Sequence, residues 1–350
     1  MNTMATIGNA REQSLNDRQL PRAEVKEERD ASEIVGPAIS RDDILVITKI
    51  SKFKWDQTHT GRTHVDLLAQ YEAQGEGGER IYASHLRQVQ VVKDLCNELL
   101  PQQIVSAAKV TPEMLQKARM VISLGGDDHL KAVSHLIDDD KPLMGVNSDP
   151  DASEGHLLTC NASELPQMLN KIETGDYRLQ PWTRLRISVG GIDRGPALSE
   201  IILAKQDFRL MSRHYLELNG EKVLQKSSGL IISTGAGSTG WFASAGLYLA
   251  PEGRPFSRTA PFARFELREP HLQFVTENGK QKALFPALVE GSLVAGEKLV
   301  ITSLNNSQGI ASRDSLDTIP FDRGCVAEVS LDTKPLWVVA PSFSNRREDD

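Results

Sequence analysis

Two stretches of the 350-residue chain carry residue types at spacings suited to chemistry on a phosphate. The first, Ser123-Leu124-Gly125-Gly126-Asp127-Asp128-His129-Leu130, follows a short apolar run and leads into a segment of helical period. Paired glycines allow a ligand to approach the backbone closely, and the start of the next helix offers unpaired N–H groups and a dipole that favours anions. Asp127 stands where a carboxylate can take the proton of an acceptor hydroxyl. The structural alternative is a tight Gly-Gly turn with Asp127 as an ordinary N-cap. The second stretch runs from Leu230 through Thr234-Gly235-Ala236-Gly237-Ser238-Thr239-Gly240-Trp241 to Ser244. Gly235, Gly237 and Gly240 spell GxGxxG, yet a dinucleotide fold also needs an acidic residue about 20 positions later at a strand tip. Leu249 to Gly253 reads as a loop instead. The other use of this stretch is a loop whose hydroxyls, on Thr234, Ser238, Thr239 and Ser244, bond the riboses or amide of a nucleotide while Trp241 stacks on a ring. Its structural alternative is a helix capped by Ser238, with Trp241 and Phe242 in the core.

Both turns need strands and helices to hold them. Ile44–Ile47, Met120–Leu124 and Leu143–Val146 are short continuous apolar runs, the mark of parallel strands covered on both faces. Helical periodicity between them, over 84–100, 114–118 and 129–137, predicts βαβ crossovers and a parallel sheet whose strand ends carry ligands. After a helix over 164–173 the pattern changes. Short segments at 185–189, 198–203, 215–218, 230–233, 299–303 and 326–331 are separated by turn signals such as Gly190-Gly191, Asn219-Gly220 and Asn278-Gly279. The fold class expected is an α/β N-terminal domain with a parallel sheet, over 43–180, followed by a mostly β C-terminal domain over 181–342. Residues 1–42 are too polar to offset ordering entropy and read as a disordered tail, and 343–350 as a charged tail.

Composition bounds the partners. With 40 Lys+Arg against 47 Asp+Glu the net charge is −7, which provides no electrostatic footprint for nucleic acid or an anionic membrane, so an anionic ligand must be met locally. No apolar run approaches the ~20 residues of a membrane helix, and the first residues lack the layout of a signal peptide. Cys96, Cys160 and Cys325 lie far apart with no metal-ligand spacing, which fits a reducing, cytoplasmic setting. There is no GxxxxGK[ST], HExxH or GxSxG. Asp138-Asp139-Asp140 reads as a solvated turn, so no residue is assigned to a metal.

Taken together, the segments resemble the NAD kinase family, and more closely its mitochondrial-type branch with bacterial relatives. The family marker GGDGT stands here as Gly125-Gly126-Asp127-Asp128-His129. Gly145-Val146-Asn147-Ser148-Asp149-Pro150 with Ser153-Glu154-Gly155-His156-Leu157 resembles the branch's GVNxDPxxSEGHL, the most specific match. Ser199-Glu200 stands for the Asn-Glu motif, Ser227 to Leu230 for SSGL, and Thr234 to Trp241 for the Gly/Thr-rich loop. Leu267 to Pro270 and Ile310 to Asp314 resemble late elements of the second domain.

The resemblance implies transfer of the terminal phosphoryl group of ATP to the 2′-hydroxyl of the adenosine ribose of NAD, with Mg²⁺, by a homodimer or larger assembly. It implies that Gly125, Gly126, Asp128 and His129 meet ATP and that Asp127 acts on the acceptor hydroxyl. Ser199, Glu200, Thr234, Gly237, Ser238, Thr239, Gly240, Trp241 and Ser244 would then hold NAD. Three departures bear on this. Asp128-His129 replaces Gly-Thr, adding a negative charge beside a triphosphate that either recruits Mg²⁺ or impairs the ATP site. Ser199 replaces an amide able to donate and accept at an adenine edge. Gly235-Ala236 replaces Pro-Thr and removes one hydroxyl. The alternatives are a related kinase acting on a lipid, sugar or nucleoside hydroxyl, or a catalytically impaired NAD-binding protein.

Overall fold

A computed structural model describes residues 33–245, 255–277, 280–284 and 286–340. Its N-terminal strands are β1 (Ile34–Val35), β2 (Ile44–Thr48), β3 (Ile104–Ser106), β4 (Met120–Gly125), β5 (Leu143–Asn147), β6 (Cys160–Asn161) and β7 (Arg178–Trp182). The next fourteen are β8 (Leu185–Val189), β9 (Ile192–Ala197), β10 (Glu200–Lys205), β11 (Ser212–Leu218), β12 (Glu221–Ser227), β13 (Gly229–Ser233), β14 (Phe262–Arg268), β15 (Gln273–Glu277), β16 (Lys280–Leu284), β17 (Glu290–Val294), β18 (Leu299–Ser303), β19 (Gly309–Arg313), β20 (Ile319–Pro320) and β21 (Val326–Leu331). The last is β22 (Leu336–Val339).

The N-terminal sheet has the order β1-β7-β22-β5-β4-β2-β3, with β6 beside β5. β2, β4 and β5 run parallel, as their unbroken apolar runs predict, and the unpredicted β3 joins them in parallel beside β2. Alternate residues of those runs serve two cores, which is why no polar position interrupts them. Val46, Ile122 and Val146 pack against Leu165, Leu169 and Ile172 of the Leu165–Thr174 helix. Leu45, Ile47 and Val121 pack against Leu130 and Val133 of the Asp127–Ser134 helix. Two features were not expected. β22 returns from the far end of the sequence to insert between β5 and β7, and β1 pairs with β7 while Ile39 is buried, so ordered chain begins ahead of Ile44. The polar stretch after β2 also forms two unpredicted helices, Lys52–Thr60 and His64–Ala73, around Phe53, Leu67 and Tyr71, while the helix expected over 84–100 spans Gly78–Leu95.

Of β8 to β21, all but β15 and β16, which pair only with each other, build two six-stranded antiparallel sheets, β17-β14-β13-β10-β19-β20 and β12-β11-β18-β21-β8-β9, with one core between them. Asn219-Gly220 and Gly190-Gly191, all with positive φ, close two-residue hairpins as predicted. Asn278-Gly279 and Leu249 to Gly253 lie outside the described residues. β13 is buried throughout, unlike an alternating strand, because Phe242 covers Ile231 on the face away from the sandwich core. Arg184 ties the sandwich to the N-terminal sheet: fully buried, it donates to the carbonyls of Ile137 and Lys334 and pairs with Asp332. No helix among the described residues is long and apolar enough to cross a membrane.

One buried side chain makes the sandwich sensitive to acid. His214 faces the inner core between Gln225 and Ser303 on the flanking strands, is 0% exposed, and neither ring nitrogen has a hydrogen-bond partner. Burial pushes its pKa down to about 4. The unfolded chain therefore binds this proton first, and the stability due to the neutral ring is lost as pH falls from about 6.5 towards 4, roughly 3 kcal/mol over the window. Urea unfolding of His214→Leu at pH 7 and pH 4.5 is expected to show a smaller acid loss than the parent, by roughly 2–3 kcal/mol. Equal losses would refute the assignment.

Candidate active site

Gly125 ends β4, Gly126 caps the Asp127–Ser134 helix, and the turn between them is narrow because the helix folds back over the strand. A Cβ on Gly125 would run into the ring of His129. That ring points inward: His129 is 8% exposed, its Nε2 lies 3.0 Å from the carbonyl of Ile47, and burial lowers its pKa. A carbonyl accepts only, so Nε2 carries the proton. His129, expected at the phosphate, instead seals the underside of the turn. Asp128 points outward, its side chain 83% exposed, and pairs with Lys131 at 2.8 Å.

The carboxylate of Asp127 does not cap its own helix, whose N-cap is Gly126. Its Oδ2 accepts the backbone N–H of His156 at 3.1 Å and its Oδ1 that of Leu157 at 3.0 Å. This links the glycine turn to the Ser153–Leu157 loop, which is fixed in turn by Asn147. The Asn147 amide donates to the carbonyl of Ser153 and accepts from the N–H of Asp149. Asp149 is buried and takes two bonds, 2.7 and 3.1 Å, from Arg87 on the Gly78–Leu95 helix.

Asp127, Lys131 and His135 stand four residues apart and share one edge of their helix. That edge meets the sandwich. His135 Nε2 is 2.6 Å from Oδ2 of Asp314, and Asp314 also accepts the backbone N–H groups of Leu198, Ser199 and Glu200 at 2.8, 2.6 and 3.1 Å. Asp314 and Ser315 have φ of 51° and 58°, and the N–H of Leu316 donates to Arg313, so the carboxylate sits in a tight type I′ turn after β19. Glu200 accepts from the Ser315 hydroxyl; burial, then the nearby charge of Asp314, raises its pKa, and Lys131 opposes that shift.

The second glycine turn is built on the same strands. The Thr234 N–H and hydroxyl both bond the 198–199 carbonyls, and Ser238 donates to the Gly235 carbonyl and exchanges bonds with Phe256. Both hydroxyls are fully buried, so they shape the loop. Gly235 and Gly237 are required by packing: added Cβ atoms would collide with the carbonyls of Ser257 and Ser199. Ala236 enters the same core cluster as Leu130, Leu157 and Leu198. The two turns therefore lie on one shared core. Thr239, Gly240, Trp241 and Ser244 are exposed at the loop's rim, where Arg268 stacks 4.4 Å above the Trp241 ring. Sequence reasoning overlooked Lys131, His135 and Asp314 as site components; the spacing from Asp127 could have flagged the first two.

No protein-family model matches the chain. It is similar to curated proteins named NAD kinase. That of Methanopyrus kandleri is 31% identical over 136 residues, 38% of this chain and 48% of the relative. The probable NADH kinase of Oryza sativa subsp. japonica is 26% identical over 244 residues, 63% of this chain and 71% of the relative. The mitochondrial NAD kinase 2 of Homo sapiens is 27% identical over 252 residues, covering 57% and 56%. The chain thus spans about half the length of two of these relatives. Among solved structures, yeast NADH kinase complexed with NADH superposes with a TM-score of 0.57 at 13% identity, over 88% of each chain. The NAD kinase from Archaeoglobus fulgidus in complex with ATP does so with 0.52 at 16%, over 84% of this chain and 92% of that one. The chain has the fold of these kinases.

Replacing Asp314 removes the acceptor of three buried N–H groups and the partner of His135. Asp314→Ala is expected to cost about 3–5 kcal/mol in denaturant unfolding, as for a broken buried charged network. A loss below about 1 kcal/mol, the range of an exposed pair, would contradict the role.

Proposed function

We propose that this chain is an NAD kinase that transfers the terminal phosphoryl group of ATP to the 2′-hydroxyl of the adenosine ribose of NAD. One observation carries the reading: the helix that starts at the glycine turn with Asp127 carries, on the same edge, Lys131 and His135, which face the strand entry that bears Ser199 and Glu200. A phosphoryl donor at the turn and a nucleoside acceptor at Glu200 would be neighbours. Kinship supports it, since relatives over much of the chain are named NAD kinase and solved neighbours are titled as complexes with ATP or NADH.

In this reading Gly125 and Gly126 admit the triphosphate to backbone range, and the first-turn N–H groups face its oxygens. Asp127 keeps a free lone pair on each oxygen beyond the bonds from His156 and Leu157, and one takes the 2′-hydroxyl proton. The bond from the γ-phosphorus to the β–γ bridging oxygen breaks, a bond to the ribose oxygen forms, and ADP leaves. Glu200 and the rim residues Thr239, Gly240, Trp241 and Ser244 hold the acceptor; Ser199, Thr234, Gly237 and Ser238 fix the loop beneath it. Among the described residues no three His, Cys, Asp or Glu side chains gather as a metal cluster. Mg²⁺ in such reactions relies on phosphate oxygens, waters and one or two carboxylates, which Asp127 and Asp128 can provide. Bound there, it would neutralise charge on the phosphates. A cytoplasmic setting is supported by three free cysteines. A homodimer rests on the resemblance.

An end-point assay with NAD, ATP and Mg²⁺ is expected to yield NADP. Asp127→Asn should lower turnover by about 10²–10⁴-fold, the usual contribution of a positioned base, with NAD affinity little changed. Unchanged turnover would defeat the role of Asp127. Trp241→Ala should raise KM for NAD roughly 2–10-fold, the worth of one stacked ring, while KM for ATP stays put. An effect confined to ATP would place the tryptophan on the wrong substrate.

A further inference from the structure

We infer that Lys131 is the phosphate-gripping cation of this site, held ready at the turn by Asp128 and handed to the outer phosphates of the incoming nucleoside triphosphate. This rests on the kinase reading above and adds a residue to it. Lys131 lies one helical turn beyond the glycines, and its side chain is only 14% exposed. It is bonded to Asp128 at 2.8 Å, with Glu200 and Asp314 close enough to act on its charge. Against burial, these three carboxylates raise the ammonium's pKa, so it stays charged.

An ordinary i,i+3 surface pair lies along the outside of a helix. Lys131 instead faces inward across the junction with the sandwich, while its partner Asp128 projects into solvent from the first turn. A nucleotide phosphate arriving there meets Asp127, Asp128 and Glu200, all acidic, and the positive end of one short helix is a small counterweight. An ammonium with three rotatable donors can keep a contact with Asp128 and still bond phosphate oxygens. The charge that Asp128 adds to the turn is thus matched by a cation on the same helix.

The test uses the full-length protein and measures binding of ATP and of AMP, which lacks the outer phosphates, to the parent, Lys131→Gln and Lys131→Arg. Lys131→Gln is expected to weaken ATP about tenfold or more, leave AMP within about twofold, and leave the thermal midpoint within a few degrees. Lys131→Arg should recover most of the ATP affinity. Unchanged ATP affinity in Lys131→Gln overturns the inference, and so does equal weakening of AMP, which would mark a structural role. NADP formation separates the two readings. A parent that makes no NADP but shows the Lys131 effect on ATP refutes the acceptor assignment alone. A parent that makes NADP and ignores Lys131→Gln refutes this inference alone.

Discussion

Asp314 takes four hydrogen bonds on one buried carboxylate, and the geometry of the site follows from them. Three come from successive backbone N–H groups at the entry to β10, and the fourth from His135 on the helix that begins at the glycine turn. An uncompensated charge in that position would be strongly unfavourable, so the carboxylate can be buried only if the strand entry and the helix are both in place. The sandwich and the N-terminal sheet are thereby held in one relation, with Arg184 adding a second tie two residues past His135, through the carbonyl of Ile137. Lys131 and Glu200 become neighbours as a consequence, since each is adjacent to a group that Asp314 binds.

Shape at the site comes from what is missing as much as from what is bonded. Gly125, Gly235 and Gly237 sit where any side chain would meet a ring or a carbonyl, so the backbone at both turns is packed closely against its neighbours. Hydroxyls that the sequence offers as ligand donors, Thr234 and Ser238, are consumed by the carbonyls of Leu198 and Gly235. That leaves Thr239, Gly240, Trp241 and Ser244 as the exposed rim over a tightly bonded loop base, an arrangement suited to positioning a substrate in the proposed reading.

Local pattern told most where structure is locally determined. Continuous apolar runs located β2, β4 and β5, and Asn-Gly and Gly-Gly pairs located two hairpins, because sheet burial and positive φ constrain residue type directly. The helices at 52–60 and 64–73 escaped, since they bury only Phe53, Leu67 and Tyr71 in a satellite cluster and otherwise read as polar chain. β22 escaped because its place between β5 and β7 depends on strands far away in sequence. The same distinction governs the site. Glycines and Asp127 were legible as a turn, but whether a neighbouring side chain faces ligand or core is decided by packing, which sent His129 inwards against Ile47.

This inward turn of His129 changes the meaning of the GGDDH departure. A larger residue at the fifth position would obstruct a phosphate only if it pointed into the mouth, and its ring instead fills space under Gly125, where it bonds a strand carbonyl. The extra carboxylate at the fourth position points to solvent, where water screens it, and is offset by an ammonium 2.8 Å away. Both departures thus leave the backbone face of the turn clear. At Gly126 an added Cβ would approach only the Ser153 hydroxyl, at an ordinary contact distance of 3.6 Å. Gly126 has a φ of −110°, which any residue can adopt, so neither strain nor crowding explains its lack of a side chain. In the reading proposed above, that open space admits a phosphate to the backbone.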